Sequence, residues 1–122
     1  MYELLGIGVD LCQISRMASL LEDGRFLSRW FTREEQAYIR GRGVGAAQSM
    51  AGIFAAKEAL GKALGTGITL PLTEIGVTHD AQGQPQYAFS GSAAEALRGR
   101  RALLSISHDG DMAVAFCTIQ RV

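Results

Sequence analysis

Ser49-Met-Ala-Gly-Ile-Phe-Ala-Ala-Lys-Glu-Ala-Leu-Gly-Lys-Ala-Leu64 is the stretch on which the fold turns. Wound at about 100° per residue, it places Met50, Ile53, Phe54, Leu60 and Leu64 on one broad apolar side. Ala55, Ala56, Ala59 and Ala63 make a second side of small residues, where another backbone can approach closely. A helix apolar nearly all round is a buried one. Two apolar sides exceed what one small sheet covers, so a subunit contact is expected to take up the excess. Glu58 and Lys62 fall in the gap between the sides, one turn apart, where an ordinary i,i+4 pair contributes about 0.2–0.5 kcal/mol. Lys57 projects into the large apolar side, with its stem on the core and its ammonium expected to reach a cleft. Ser49 reads as the N-cap and Gly65 as the C-terminal stop.

Upstream, Leu4-Leu-Gly-Ile-Gly-Val-Asp10 reads as a buried strand running into a carboxylate. Ile14, Met17, Ala18 and Leu21 follow at helical spacing, with Gly24 as the stop and Arg16 facing outward. Phe26 to Phe31 is an aromatic-rich connector or helical turn. Thr32 and Glu35 form a capping box, so Arg33 to Arg40 is a second helix. Gly41 to Gln48 reads as a flexible loop. Downstream, Glu74 to Thr78 and Gln86 to Ser90 are strands joined through a turn with glycine at its tip. Ser92 and Glu95 make a second capping box for a short helix to about Leu97. Ala102 to Ser107 and Met112 to Ile119 are strands linked by His108-Asp-Gly-Asp111. The order of elements predicts an α+β fold, an antiparallel sheet packed on a long central helix, in a single domain spanning residues 1–122.

The 122 residues, 48% of them hydrophobic and 20% charged, bury a real core and exclude disorder as the main state. A formal net charge of zero argues against general nucleic-acid binding. No segment approaches a membrane span, and the opening Met-Tyr-Glu is no signal peptide, so the expectation is a cytoplasmic protein without nucleic-acid or membrane partners. Cys12 and Cys117 stand alone in apolar text and read as small buried hydrophobes in a reducing compartment.

Two glycine motifs fail as nucleotide signatures. Gly61-Lys62 lacks the following hydroxyl residue of a P-loop, and Gly6-Ile-Gly8 is followed by Leu11 where a third glycine would stand. Asp10 and Glu58 are better candidates. If they converge, two like charges repel unless a cation joins them, and Mg²⁺ takes one or two carboxylates with water and phosphate oxygens. The bland alternative has Asp10 capping the next helix and Glu58 paired with Lys62. Ser107 and His108 stand where a strand breaks into a turn, a place for ligand contacts or simply a hairpin shaped by Asp109-Gly110. His79 reads as a solvated loop residue.

Gly6-Ile-Gly-Val-Asp10 followed by Ile14 and Arg16, Phe54-Ala-Ala-Lys-Glu-Ala59, and Lys62-Ala-Leu-Gly-Thr-Gly-Ile68 together resemble the holo-[acyl-carrier-protein] synthases. The Gly83-Gln-Pro85 turn and Ser105-Ile-Ser-His108 match in order, so the resemblance covers essentially the whole chain. One departure is Ile53, where the family commonly has arginine. The resemblance implies a 4′-phosphopantetheinyl transferase fold and a Mg²⁺-dependent reaction. The 4′-phosphopantetheine arm of coenzyme A would pass to a serine of an apo acyl carrier protein of fatty-acid or polyketide synthesis. Adenosine 3′,5′-bisphosphate would be released. It implies Asp10 and Glu58 as metal ligands, Lys62 beside the phosphates, and Glu58 or a water on the metal as the base. Gly65, Pro85, Ser107 and His108 would line the coenzyme A site. Arg16, Arg25, Phe26 and Arg29 would meet the carrier's acidic helix, and the enzyme would be a homotrimer with sites between chains. A non-catalytic binding domain is the competing reading, favoured by Ile53 and opposed by the intact Asp10, Glu58 and Lys62.

Overall fold

The computed structural model of the chain describes residues 3–122; Met1 and Tyr2, part of the stretch read for a signal peptide, lie outside the described residues. The chain opens with strand β1 (Glu3–Gln13) and passes through three short helices, α1 (Ile14–Ala18), α2 (Gly24–Trp30) and α3 (Arg33–Arg40), before α4 (Ala46–Leu64). Strands β2 (Ile75–His79) and β3 (Pro85–Phe89), helix α5 (Gly91–Ala96), and strands β4 (Arg100–Asp109) and β5 (Met112–Arg121) complete it. β1, β5 and β4 make an antiparallel sheet in that order, and β2 and β3 form a separate antiparallel hairpin. This is the expected α+β arrangement.

α4 lies across β1 and β5, and the glycines of β1 explain how closely. Gly6 and Gly8 alternate with Ile7 and Val9, so both glycines face the helix. A Cβ at Gly8 would stand 2.0 Å from the Ala59 carbonyl oxygen, and one at Gly6 1.9 Å from that of Ala63. Only a strand without side chains there can lie against the alanine side. That side is therefore filled by the chain's own β1, not by a neighbouring subunit as the sequence suggested. The uncovered apolar surface lies elsewhere. Ile7 (59% exposed) and Leu11 (61%) on β1 join Phe116 (43%) on β5 and Leu103 on β4 on the outer face of the sheet.

Lys57 also departs from expectation. It is fully buried, and its ammonium reaches no cleft: Nζ donates to Glu35 Oε1 at 2.8 Å, the Ile75 carbonyl at 2.8 Å and the Leu72 carbonyl at 2.9 Å. Glu35 completes the predicted capping box with Thr32 and also accepts from the Val77 amide through Oε2. Burial pulls the lysine's pKa down and the Glu35 carboxylate pushes it back up. One ion pair thus ties the start of α3 and the middle of α4 to the entry of β2.

The helix ends were read less well. α4 begins at Ala46, with Gly45 in the cap position and no side-chain cap, so Ser49 lies inside the helix and the expected loop is shorter. Gly65 ends α4 at φ 81°, as expected. α1 ends at Ala18, short of Leu21, and Gly24 is not its stop: it opens α2, capped by Asp23. At α5 the expected Ser92–Glu95 box is absent; Glu74 caps the helix from outside, accepting from Ser92 Oγ at 2.6 Å and the Ala93 amide at 3.0 Å. Cys12 and Cys117 are buried free thiols. Among the described residues no helix is long and apolar enough to cross a membrane.

Candidate functional site

Asp10 shares the inward-facing row of β1 with Gly6, Gly8 and Cys12, so its carboxylate is delivered to the flank of α4. Lys62 meets it there: Nζ donates to Asp10 Oδ1 at 3.0 Å and to the Val9 carbonyl at 3.0 Å. Lys62 thus pairs with Asp10, not with Glu58 one turn earlier. Asp10 does not cap α1 either. That helix is held by Asp111, which accepts from the Ser15 amide at 3.0 Å and from Ser15 Oγ at 2.6 Å.

Glu58 lies close enough to Asp10 for the two to repel. Its pKa is raised above the ordinary 4.5, first by burial and then by the Asp10 charge, with Lys62 and Arg16 opposing. Asp10 and Glu58 thus feel each other's charge, and Lys62 and Arg16 act on Glu58 in the opposite sense. Arg16 is exposed, yet it is not simply outward: its guanidinium lies 5.2 Å from the centre of the Phe54 ring, one turn before Glu58. Phe54 packs on Trp30, ring centroids 4.3 Å apart, and stacks on Phe26 at 6.1 Å, forming an aromatic shelf between α2 and α4. Arg25 and Arg29 are exposed on α2, and Phe26 is half-buried between them.

The remaining predicted residues lie apart from this group. A cleft of about 210 Å³ opens between α3, the first turns of α4, the β2–β3 hairpin and β4. Pro85 and His108 line it with Gln48, Arg42, Tyr38 and His79, but Asp10, Glu58, Lys62 and Arg16 do not. The Gln48 side-chain amide meets His108 Nε2. Gln48 and Glu58 are about 15 Å apart along the axis of α4, so the two groups sit at different heights on the helix. Gly65 ends α4 on the Lys62 side. Ser107 alternates with His108 and projects from the outer sheet face with Leu103 and Ser105, away from this cleft. In one chain, then, the predicted residues form two separate groups, and Ser107 belongs to neither.

Sequence reasoning missed Tyr38, Arg42 and Gln48 and dismissed His79. His79 is half-buried and stacked on Tyr38, with ring centroids 4.1 Å apart and planes at 4°. Its local signal, a histidine beside Asp80 at a hairpin, carries no trace of a partner on another element. Tyr38 and Arg42 had a weak signal, an aromatic and an arginine one turn apart at the end of a capped helix.

The geometry can be set beside known proteins. A profile of the 4′-phosphopantetheinyl transferase superfamily matches residues 6–117. A holo-[acyl-carrier-protein] synthase of Treponema denticola is 40% identical over 121 residues, covering 96% of this chain and 98% of that one. The crystal structure of holo-[acyl-carrier-protein] synthase from Neisseria meningitidis aligns with a TM-score of 0.86 at 33% identity, over 96% of this chain and 98% of that one. The Bacillus anthracis synthase, solved in complex with CoA (3′,5′-ADP), aligns with a TM-score of 0.83 at 33% identity over 98% of both chains. The chain belongs to the holo-[acyl-carrier-protein] synthase family of 4′-phosphopantetheinyl transferases.

Proposed function

We propose that this protein transfers the 4′-phosphopantetheine group of coenzyme A to a serine of an apo acyl carrier protein. The reaction depends on Mg²⁺, releases adenosine 3′,5′-bisphosphate and takes place in the cytoplasm. The observation that carries the reading is the Asp10–Lys62 pair at α4, with Lys62 one helical turn from Glu58. The Bacillus anthracis relative, a complex with CoA (3′,5′-ADP), supports the choice of donor.

The donor set suits Mg²⁺. Two carboxylates feel each other's charge, and among the described residues no group of three or more His, Cys, Asp or Glu side chains forms a closed cage. A cation that takes one or two carboxylates and fills its shell with phosphate oxygens and water fits such a pair. When bound by Asp10 and Glu58, it would neutralise charge developing on the pyrophosphate. Lys62 adds a cation at the same phosphates and stabilises the leaving bisphosphate. Glu58, or a water that it orients, takes the proton from the serine hydroxyl. Arg16, Arg25 and Arg29, with Phe26, dock the acidic carrier at the mouth of this half-site.

The second half-site, with Pro85 and His108, holds the nucleotide end of the donor. A single chain keeps the halves about 15 Å apart along α4, so the reading places them together across a subunit boundary in a homotrimer. The outer sheet face supports that assembly. Ile7, Leu11, Leu103 and Phe116 form an exposed apolar patch of the kind that marks an interface. Gly65 lies at the Lys62 end, and Ser107, on the outer face, reaches a site only if that boundary passes beside it.

The test is incubation of the protein with coenzyme A, Mg²⁺ and an apo carrier protein, followed by mass spectrometry of the carrier. A gain equal to phosphopantetheine, abolished by EDTA and restored by Mg²⁺, is expected. Coenzyme A binding without any carrier mass gain would instead make the chain a binding domain.

A further inference from the structure

The β2–β3 hairpin is a two-stranded sheet of its own, and a lone hairpin is marginally stable in water. Yet it carries one wall of the cleft. His79 and Pro85 line the cleft from the same end of the hairpin, where they face each other in register. Groups outside the hairpin must therefore fix that wall.

Both strands are tied to α4, at consecutive residues. On β2 the Ile75 carbonyl accepts from Lys57 Nζ at 2.8 Å. On β3 the Tyr87 hydroxyl donates to the Ala56 carbonyl at 2.5 Å. Pro85, Tyr87 and Phe89 share one face of β3, so Tyr87 stands two residues from the cleft wall and points the same way. Phe89 stacks on its ring, with centroids 5.4 Å apart. A carbonyl has two lone pairs, so Ala56 accepts the phenol without giving up its bond within the helix. Burial first, then Cys117, pushes the phenol's pKa well above the ordinary 10, and the hydroxyl keeps its proton as a donor.

The place on α4 matters as well. Ala56 lies one turn after Gly52, a cleft residue pressed against β4: a Cβ there would stand 2.9 Å from Ile106 Cγ2. The β4 wall and the hairpin wall are thus seated one turn apart on the same helix, β4 by close packing and β3 by one hydrogen bond. Without that bond the Lys57 anchor leaves the hairpin free to pivot about β2. We propose that Tyr87 is a positioning residue, whose bond to Ala56 sets the width of the cleft and so the fit of the donor's nucleotide end. The assignment rests on the transferase reading, and Tyr87 itself does not line the cleft.

The experiment uses the full-length protein and Tyr87→Phe, which removes one oxygen and keeps the ring and its stack on Phe89. The KM for coenzyme A should rise about fivefold, the worth of one ordinary hydrogen bond. The kcat at saturating coenzyme A and the KM for the carrier should stay near wild type. Calorimetric affinity for adenosine 3′,5′-bisphosphate should fall by the same factor. Hydrogen–deuterium exchange should quicken in β3 and the turn at 80–84 and stay unchanged in β1 and β5. Tyr87→Leu, which also loses the ring, should move these readouts in the same direction and at least as far. A hydroxyl of merely structural value would lower the melting temperature and leave the coenzyme A KM and the bisphosphate affinity where they were. That result, or an equal rise in both KM values, overturns the assignment.

Calorimetry and exchange also separate this inference from the reaction itself. If the wild type modifies no carrier, a bisphosphate affinity that Tyr87→Phe weakens still supports Tyr87 while the transferase reading fails. An affinity that Tyr87→Phe leaves unchanged, or a wild type that binds no bisphosphate, overturns Tyr87 whatever the turnover.

Discussion

Lys57 Nζ lies 2.8 Å from Glu35 Oε1 with both side chains closed to solvent, whereas Lys62 on the same helix pairs with Asp10 at 3.0 Å at the surface. The two lysines of the chain therefore have separate tasks, and their variants should separate too. Lys57→Met takes the counter-charge from the buried Glu35 carboxylate and a donor from two backbone carbonyls, and breaking a buried pair costs about 3–5 kcal/mol. Lys62→Met breaks an accessible pair, which costs less than about 1 kcal/mol, yet it should lower kcat by about two orders of magnitude. Urea unfolding and carrier turnover measured on both variants check this. A Lys62→Met protein as unstable as Lys57→Met would make Lys62 structural.

Glu58 carries the second prediction, a pH dependence of stability. Its pKa is raised in the folded state, so its contribution to stability is complete below the ordinary 4.5 and is lost as the pH rises through the folded value. At pH 7 the ionised carboxylate costs the metal-free protein stability, and Glu58→Gln removes that cost. The variant should melt higher than wild type at neutral pH, by less than about 1 kcal/mol because the group is partly exposed. The gap should close as the pH falls below the ordinary carboxylate range. Melting curves in EDTA from pH 4 to pH 8 measure it, and a lower melting temperature for Glu58→Gln at pH 7 would contradict the repulsion from Asp10.

Arg16 and Arg29 give a third. If they steer an acidic partner, Arg16→Glu and Arg29→Glu should raise the KM for the carrier, slow association and flatten its salt dependence. Arg29 is remote from the phosphates, so Arg29→Glu should leave the coenzyme A KM unchanged. Arg16 also stands over Phe54 beside Glu58, so Arg16→Glu should lower kcat as well. Steady-state kinetics at two ionic strengths distinguish these effects, and an Arg29→Glu protein impaired equally toward both substrates would remove the docking role.

The outer sheet face supports a fourth. Ile7→Lys places a charge in the patch shared with Leu11, Leu103 and Phe116, on the side of β1 away from α4. Sedimentation velocity should find a trimer for wild type and monomer for the variant, with the monomer folded by circular dichroism and inactive. A wild-type monomer with full activity would refute the assembly.

Much of this was legible because the signals are local. Alternation in β1, the run of small and large residues along α4, and the Thr32–Glu35 box are written within a few residues of each other. Asp10 and Glu58 could be paired on chemistry, since each interrupts apolar text. What escaped reading depends on partners far along the chain. Glu35 looked finished as a cap, and nothing beside it announces Lys57. Glu74 reaches α5 only after the β2–β3 hairpin has folded back. The alanine side of α4 looked like an interface because the glycines that fit it lie some fifty residues earlier in β1. His79 finds its stacking partner only when α3 lays Tyr38 against the end of β2.

Co-refolding of two inactive variants tests the central claim, a site assembled from two chains, most directly. Glu58→Ala removes one half-site and His108→Ala damages the other, so homotrimers of each should be inactive or severely impaired. In randomly mixed trimers about one quarter of the boundaries join an intact Glu58 to an intact His108. Mixing should therefore restore about a quarter of wild-type turnover, in step with the mass-spectrometric fraction of mixed trimers. Trimers shown to be mixed that recover no activity would mean that Glu58 and His108 act within one chain, and the two-chain site would be wrong.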